Sequence, residues 1–440
     1  MLAVSALLCV AHAMCHVQRF NMLLRGHCGL AGCHSELDCI NNAYTNRVTL
    51  YPAQNMLLVD ILVATKRRSL TVSLLTLSSK ESSKLLLMAS LSAFLFGVVG
   101  LFLIGLMQLV SMQSFAEDSV HKHGIAEMQA SRLGGAATIL GGIFLIAMLA
   151  FSGLRGNSSG PLDVGWFAWV AVIGCMLLGL VEDIRNDSLS PRVRLASKTS
   201  IFTLVLWLSP TLVPSAIGVP VIDSLLAVPA IAFVLCVVFC VGFLNAVNMA
   251  DGANGLVSSI VVMANIIFYQ ELGGLGFLTV LTCTSVFLIF NVISGRLFLG
   301  DAGAYGMGAC LLISALYCFG YGYMSLSFLA ALLSYPCLDF LFSILRRFAT
   351  GRSITKPDND HLHNRIHFQY RKIFRSRNLA NSASGMTVAA ASSGVVLVGY
   401  LSNWWPITSE QWAFVFATQC LVYGLAYYAT GRTASQPKTA

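Results

Sequence analysis

The stretch VPAIAFVLCVVFCVGFLNAVNMADGANGLVSSIVVMANIIFY, Val228 to Tyr269, holds two long apolar runs separated by a short island of asparagine, aspartate and glycine. Each run approaches the ~20 residues a helix needs to cross the roughly 30 Å hydrocarbon core of a bilayer. The same alternation of apolar run and polar island recurs on both sides of it. Of the 440 residues, 56% are hydrophobic and only 10% are charged, more apolar surface than one water-soluble core can cover. The expected fold class is therefore all-α, a polytopic integral membrane protein with about 11 transmembrane helices. The expected spans are 85–110, 133–152, 164–181, 196–213, 223–244, 255–271, 273–293, 304–320, 325–345, 386–402 and 411–430.

A net charge of +8 invites a nucleic-acid reading, but the placement of the charge excludes it. Loops 111–132, 182–194, 245–254, 294–303 and 346–385 hold fifteen Lys or Arg, whereas the loops on the opposite side hold only Arg155. That is the positive-inside pattern of a membrane protein, and it assigns the basic loops to the cytoplasm. Residues 1–83 do not obey it, and they match neither a signal peptide nor a comfortable span. They are expected to be an N-terminal extension, from a mis-assigned start ahead of Met88 or from a poorly ordered segment. The membrane domain is expected over 84–430, with 431–440 as a cytoplasmic tail. The thirteen cysteines show no metal or redox spacing and read as small core residues.

The polar islands carry the chemistry. In GLVEDIRN, Glu182 and Asp183 sit together at the cytoplasmic end of the third span, where two acids serve a metal, a proton or plain solvation of a helix end. In NAVNMADGANGL, Asn245 and Asn248 share a helix face, Asp251 follows three residues later, and Gly252 and Gly255 allow a tight turn. An amide oxygen plus a carboxylate suits a hard cation, and amide donors suit phosphate. Capping of the next span by Asp251 or Asn254 would explain one of these residues, not all of them. In RLFLGDAGAYGMG, Asp301 lies between small residues on a loop before another span, and Phe298 is placed either to stack on a base or to anchor the helix end.

The long loop RRFATGRSITKPDNDHLHNRIHFQYRK is basic, as topology alone would make it. Its core, HLHNR, is different: His361, His363 and Arg365 offer donors for a diphosphate, and two histidines with no cysteine nearby make a poor zinc site. Asp339 lies inside the ninth span, about 10 Å of helix from Arg346. A charge at that depth costs roughly 2.5–3.5 kcal/mol, so it should face the bundle interior, either paired there or acting in catalysis.

Taken in order, these islands resemble the polyprenyl-phosphate N-acetylhexosamine-1-phosphate transferase family, glycosyltransferase family 4. The shared features are RLGG at 132–135, the acidic pair 182–183, N-x-x-N-x-x-D-G from Asn245 to Gly252, GDAG at 300–303, a proline and an acid in the ninth span, and H-x-H in the last large loop. The resemblance covers about 120 to 430. It implies transfer of a sugar 1-phosphate from a UDP-amino sugar to polyprenyl (undecaprenyl) phosphate, with release of UMP and with Mg2+, or alternatively Mn2+, as cofactor. It further implies Asn248 and Asp301 as metal ligands, with Asp183, Asp251 and Glu182 at the reacting phosphates. Asn245, His361, His363 and Arg365 would then bind substrate, and Phe298 would stack on uracil. The implied setting is the bacterial inner membrane with the site facing the cytoplasm. The implied partners are these two substrates and the bilayer, with no nucleic acid and with a homodimer as a further expectation.

Three departures stand out: Glu182 for the usual Asp, Asn254 for the second Asp of D-G-x-D-G, and Asn364 after H-x-H. They point toward an envelope-glycan branch such as O-antigen synthesis and put the identity of the sugar in question. Asn254→Asp is expected to be tolerated if that position only shapes the turn. A secondary transporter of a nucleotide sugar is the rival reading, but transporters bind near the midplane between internal repeats. The D-G-x-x-A-R signature of CDP-alcohol phosphotransferases is absent.

Overall fold

The computed structural model describes residues 79–112, 117–118, 130–152, 161, 165–185, 189–351 and 360–431. Of the expected extension only residues 79–83 are described, and the tail beyond residue 431, Arg155 and the loop 352–359 lie outside the described residues. The membrane bundle is the unit Ser83–Ala440.

Helix α1 (Ser79–Ser111) is followed by a two-residue ribbon, β1 (Glu117–Asp118) paired antiparallel with β2 (Ala130–Ser131). The chain continues through α2 (Gly134–Phe151), α3 (Trp166–Ile184), α4 (Pro191–Leu208), the short α5 (Pro220–Leu226) and α6 (Pro229–Ala250). Next come α7 (Leu256–Leu272), α8 (Leu275–Ser294), α9 (Gly300–Gly320), α10 (Leu326–Leu332) and α11 (Ser334–Ala349). Helices α12 (Leu362–Tyr370), α13 (Arg377–Ala389), α14 (Val395–Leu401) and α15 (Trp412–Ala429) complete the described chain. Helix starts follow local chemistry. Pro191, Pro220 and Pro229 open helices where a missing N–H costs nothing, and the Ser190, Ser325 and Ser376 side chains accept from Val193, Phe328 and Leu379 N–H groups.

Each of the eleven expected spans contains helix, although the helix in 196–213 ends at Leu208 and 223–244 is interrupted between Leu226 and Pro229, and the fold is all-α and polytopic. Among the described residues seven helices are long and apolar enough to cross a membrane singly, and α10 with α11 makes an eighth, bent by 77°. The other three are not among these eight. Gly134–Leu149 and Leu256–Leu272 are short apolar helices. Helix α4 starts earlier than expected, at Pro191, and brings Arg192, Arg194 and Lys198 into its first turns.

The bend between α10 and α11 has a local cause. Pro336 has no N–H for the carbonyl of Leu332, four residues back, and its ring would crowd that carbonyl in a continuous helix. The Ser393 hydroxyl donates to Leu332 O instead, at 2.6 Å. The break tips α11 so that Tyr335 and Asp339 face the loop that carries the histidines, and both are hydrogen-bonded to it.

Helix α9 is the buried centre, enclosed from Ala302 to Leu316 and packed most extensively on α3. The two helices approach through glycine. A Cβ on Gly179 of α3 would collide with the backbone of Asp301 and Ala302, and from α2 one on Gly135 would collide with Gly303 N.

Candidate active site

The polar islands meet at one end of the bundle, where α3 and α6 end and α9 begins. The RLGG motif has a structural reason. Ser131 N donates to Arg296 O at 3.0 Å, Phe298 N to Ser131 O at 2.8 Å, Gly134 N to Phe298 O at 2.9 Å and Gly135 N to Leu299 O at 2.7 Å. These bonds zip residues 131–135 alongside 296–299 and deliver the chain into α9. Gly300 turns it with φ 72°, a conformation that strains any residue with a side chain, and a Cβ there would strike Arg132 O.

Asp301 therefore belongs to the first turn of α9 rather than to a preceding loop. Its backbone N–H donates to Asp183 Oδ1 at 2.9 Å, and Ala302 N donates to Asp183 Oδ2 at 2.8 Å. A buried carboxylate from the end of α3 thus caps the N-terminus of α9 and favours its positive dipole end. The Asp301 carboxylate itself makes no hydrogen bond among the described residues and is only half-buried.

Glu182 is buried and turned away from Asp183. Its Oε1 accepts from Leu189 N at 2.8 Å, and its Oε2 lies 3.7 Å from Arg194 Nη1, which ties the α3–α4 connection down.

At the end of α6, Asp251 is the C-cap residue of that helix. The expected capping of the next span by Asp251 or Asn254 is not what the structure shows, since Gly255 at φ 80° begins α7 without any side-chain cap. Burial pushes the Asp251 carboxyl well above the usual carboxylate range, and the charges of Asp301 and then Asp183 push it further. Three carboxylates therefore crowd one another here.

The crowding is offset by a residue that sequence reasoning missed. Lys198, from the second turn of α4 and buried, donates to Asn245 Oδ1 at 2.6 Å and lies 4.1 Å from the Tyr305 ring centroid. Asp301 is the main opposite charge acting on it. The available signal was a lysine inside an expected span, where a charge needs a partner. Asn248, one turn along from Asn245, is half-buried and has a side chain free of hydrogen bonds among the described residues.

Asn254 serves as a clamp. Its Nδ2 donates to Asn378 Oδ1 at 2.9 Å and to Ser382 Oγ at 3.5 Å on α13, and Gly255 N donates to Asn291 Oδ1 at 2.7 Å. Asn291 Nδ2 in turn donates to Leu297 O at 2.8 Å, so one amide network holds both the D-G turn and the approach to α9. Asn254→Asp would set a carboxylate against Asn378 Oδ1. It is expected to cost about 1–2 kcal/mol and to lower the melting temperature in detergent, and an unchanged melting temperature would dispose of the clamp.

The last loop folds as α12 and the start of α13. His361 Nδ1 lies 2.6 Å from Asp339 Oδ2, and His363 Nδ1 lies 2.9 Å from the Tyr335 hydroxyl. A Cβ on Gly252 would meet His363 Nε2, which sets that imidazole directly under the Asp251–Gly252 turn. Burial lowers His363 to about 4, and Asp339 opposes this less than burial and the neighbouring His361 and His367 favour it.

Arg365 points elsewhere. Its Nε and Nη2 donate to Asp360 at 2.7 and 2.9 Å, its Nη1 donates to Tyr427 O at 2.6 Å, and its guanidinium lies 3.6 Å from the Tyr427 ring centroid. Burial alone would raise the Asp360 carboxyl, but Arg365 and Arg346 outweigh it and hold Asp360 below the ordinary range. The group latches α12 to the end of α15. Phe298 is half-buried, beside the zipped strand, with its backbone committed to Ser131 and Gly134.

The structure thus gathers Asp183, Asp251, Asp301, Asn245 and Lys198 in one electrostatic neighbourhood, with His363 beneath the Asp251–Gly252 turn. Glu182 and Arg365 have their polar atoms engaged by the chain itself.

Comparison with known proteins places the chain beside membrane sugar-phosphate transferases. Residues 165–319 match the model described as Glycosyl transferase family 4. Among similar curated proteins is a probable undecaprenyl-phosphate N-acetylglucosaminyl 1-phosphate transferase of Bacillus subtilis, 26% identical over 248 residues, 53% of this chain and 65% of that protein. An undecaprenyl-phosphate alpha-N-acetylglucosaminyl 1-phosphate transferase of Thermotoga maritima is 29% identical over 209 residues, 47% of this chain and 62% of the relative. A phospho-N-acetylmuramoyl-pentapeptide-transferase of Clostridium perfringens is 25% identical over 201 residues, 41% of this chain and 60% of its own length. These matches support the resemblance to the polyprenyl-phosphate N-acetylhexosamine-1-phosphate transferases over the matched part of the chain. It spans less than two thirds of the length of these relatives.

Proposed function

We propose that this protein transfers an N-acetylhexosamine 1-phosphate from a UDP-sugar to undecaprenyl phosphate, releasing UMP, at the cytoplasmic face of a bacterial inner membrane. On this reading it starts the synthesis of an envelope glycan such as O-antigen. The observation that carries the reading is the convergence of Asp301, Asp251 and Lys198 at one end of an apolar bundle, with the Asp301 carboxylate free of hydrogen bonds among the described residues.

The residues suit Mg2+. No group of three His, Cys, Asp or Glu is close enough to hold an ion among the described residues. A hard cation that keeps waters and binds through one or two protein oxygens plus substrate phosphates needs no such cage. Asp301 and the Asn248 amide would hold it, and Mn2+ fits the same oxygen donors. When bound, the ion would neutralise phosphate charge so that two anions can approach.

The chain's own groups do the rest. An oxygen of the lipid phosphate attacks the phosphorus attached to the sugar, the bond from that phosphorus to the UMP oxygen breaks, and a sugar-diphospho-lipid and UMP result. Such a displacement depends on positioning and charge more than on covalent help from the protein. Asp183 fixes the main chain that carries Asp301, Lys198 contributes a cation, and His361 and His363 lie on the loop that would meet the diphosphate. Phe298 is the candidate platform for uracil.

Purified protein in nanodiscs, given UDP-N-acetylglucosamine, undecaprenyl phosphate and Mg2+, should release UMP only when both substrates are present. Uptake of the UDP-sugar into sealed vesicles without UMP would overturn the reading in favour of transport. Lys198→Met keeps the apolar stem and removes the cation, and it is expected to slow UMP release by roughly 10²-fold. Initial rates of the variant check this.

A further inference from the structure

Asp339 is an acid in the middle of a helix that the transfer chemistry does not use. It is 2% exposed. Its Oδ2 takes the His361 Nδ1 bond at 2.6 Å, and its Oδ1 accepts from Tyr423 OH at 2.8 Å and Leu362 N at 3.1 Å. A carboxylate so supplied with donors has little capacity left for a ligand. It acts on the loop instead.

Hydrogen bonding around the two histidines sets their protons. A carboxylate only accepts, so His361 Nδ1 carries hydrogen toward Asp339. The Tyr335 hydroxyl has a single proton and accepts from His363 N at 3.2 Å. It can donate to His363 Nδ1 at 2.9 Å or to Asp339 Oδ1 at 3.5 Å. The shorter contact is the normal bond and the longer one lies at the edge of hydrogen bonding. His363 Nδ1 is therefore the acceptor, and the hydrogen of that ring sits on Nε2, the atom packed toward Gly252. The two rings lie parallel within 2°, 5.4 Å apart, so they form one oriented pair in which His361 carries hydrogen on Nδ1 and His363 on Nε2.

We propose that Tyr335 and Asp339 are positioning residues, which lock His363 as an Nε2–H donor beside the Asp251–Gly252 turn and hold His361 in register with it. The donor serves the diphosphate of the UDP-sugar, a role that rests on the proposed sugar-phosphate transfer. Neither Tyr335 nor Asp339 touches substrate. Each works through a histidine, much as the partner of a ring nitrogen commonly decides what the other nitrogen offers.

The test uses the full chain in nanodiscs, with 15N-labelled histidine and His363→Gln to assign the signal. Ligand-free wild type should show His363 protonated at Nε2. Tyr335→Phe, nearly isosteric, should loosen the preference for Nε2–H and free the ring to turn, and so raise KM for UDP-N-acetylglucosamine about tenfold, the equivalent of one hydrogen bond, with kcat changed less than about threefold. Asp339→Asn should disturb the His361 signal and raise KM in the same way. A wild-type spectrum with His363 protonated at Nδ1 overturns the proposal, and so does a Tyr335→Phe enzyme with unchanged KM. If wild type releases no UMP, the transfer reading fails while the spectrum still decides the tautomer.

Discussion

Asp301→Asn is expected to reduce UMP release by roughly 10³-fold or more while leaving the melting temperature in detergent almost unchanged. The separation of the two effects reflects how the residue is held. Asp183 bonds the backbone N–H groups of residues 301 and 302, not the Asp301 side chain, so the start of α9 does not depend on the carboxylate. That carboxylate has no hydrogen bond among the described residues, so an amide of the same shape breaks none. Removing its charge also relieves Asp251, whose carboxyl Asp301 helps to push upward. The variant loses the anion offered to a divalent ion and to Lys198. Residual turnover should depend only weakly on Mg2+ concentration. Wild-type rates from the variant would remove Asp301 from the chemistry.

The second large effect concerns stability. Gly179→Ala is expected to cost about 3 kcal/mol or more, at the upper end of what overpacking does, because the new methyl would overlap backbone rather than a yielding side chain. The atoms it meets are the carbonyl of Asp301 and the N–H of Ala302. Helices α3 and α9 would have to part at the point where Asp183 bridges them. Thermal unfolding in detergent should show a drop of many degrees or no folded protein at all. Gly142→Ala is the control, since its Cβ would meet only Thr279 Cγ2 at an ordinary 3.5 Å. Equal stability of the two variants would mean that the α3–α9 contact is looser than the structure shows.

How far the sequence foretold this arrangement depends on the kind of interaction. Hydrophobic runs are local, so the eleven stretches were legible, and so were the islands that end them. Asp251, Asn248 and Asp301 stood out because polar residues between membrane helices need a reason. The partners were hidden because each crosses a long stretch of chain. Asp183 caps a helix 118 residues away, and Asn254 reaches Asn378 across 124. Lys198 escaped notice because it sits in a run scored for its apolar content, although its charge is what the acidic neighbourhood requires. Arg365 looked like a phosphate ligand from its neighbours in sequence. Only the structure reveals Asp360 and the Tyr427 carbonyl in its fork.

That fork bears on when the proposed site becomes complete during synthesis. The ribosome makes residues 182–301 first, then the histidine loop, and Tyr427 after both. Until α15 has been inserted, α12 lacks the carbonyl that receives the guanidinium, and Asp339 lacks the hydroxyl of Tyr423. A nascent chain stalled before that helix would hold its acids and lysine in place with the histidines still adrift. The complete site should therefore form only after α15 has been inserted, in one late step.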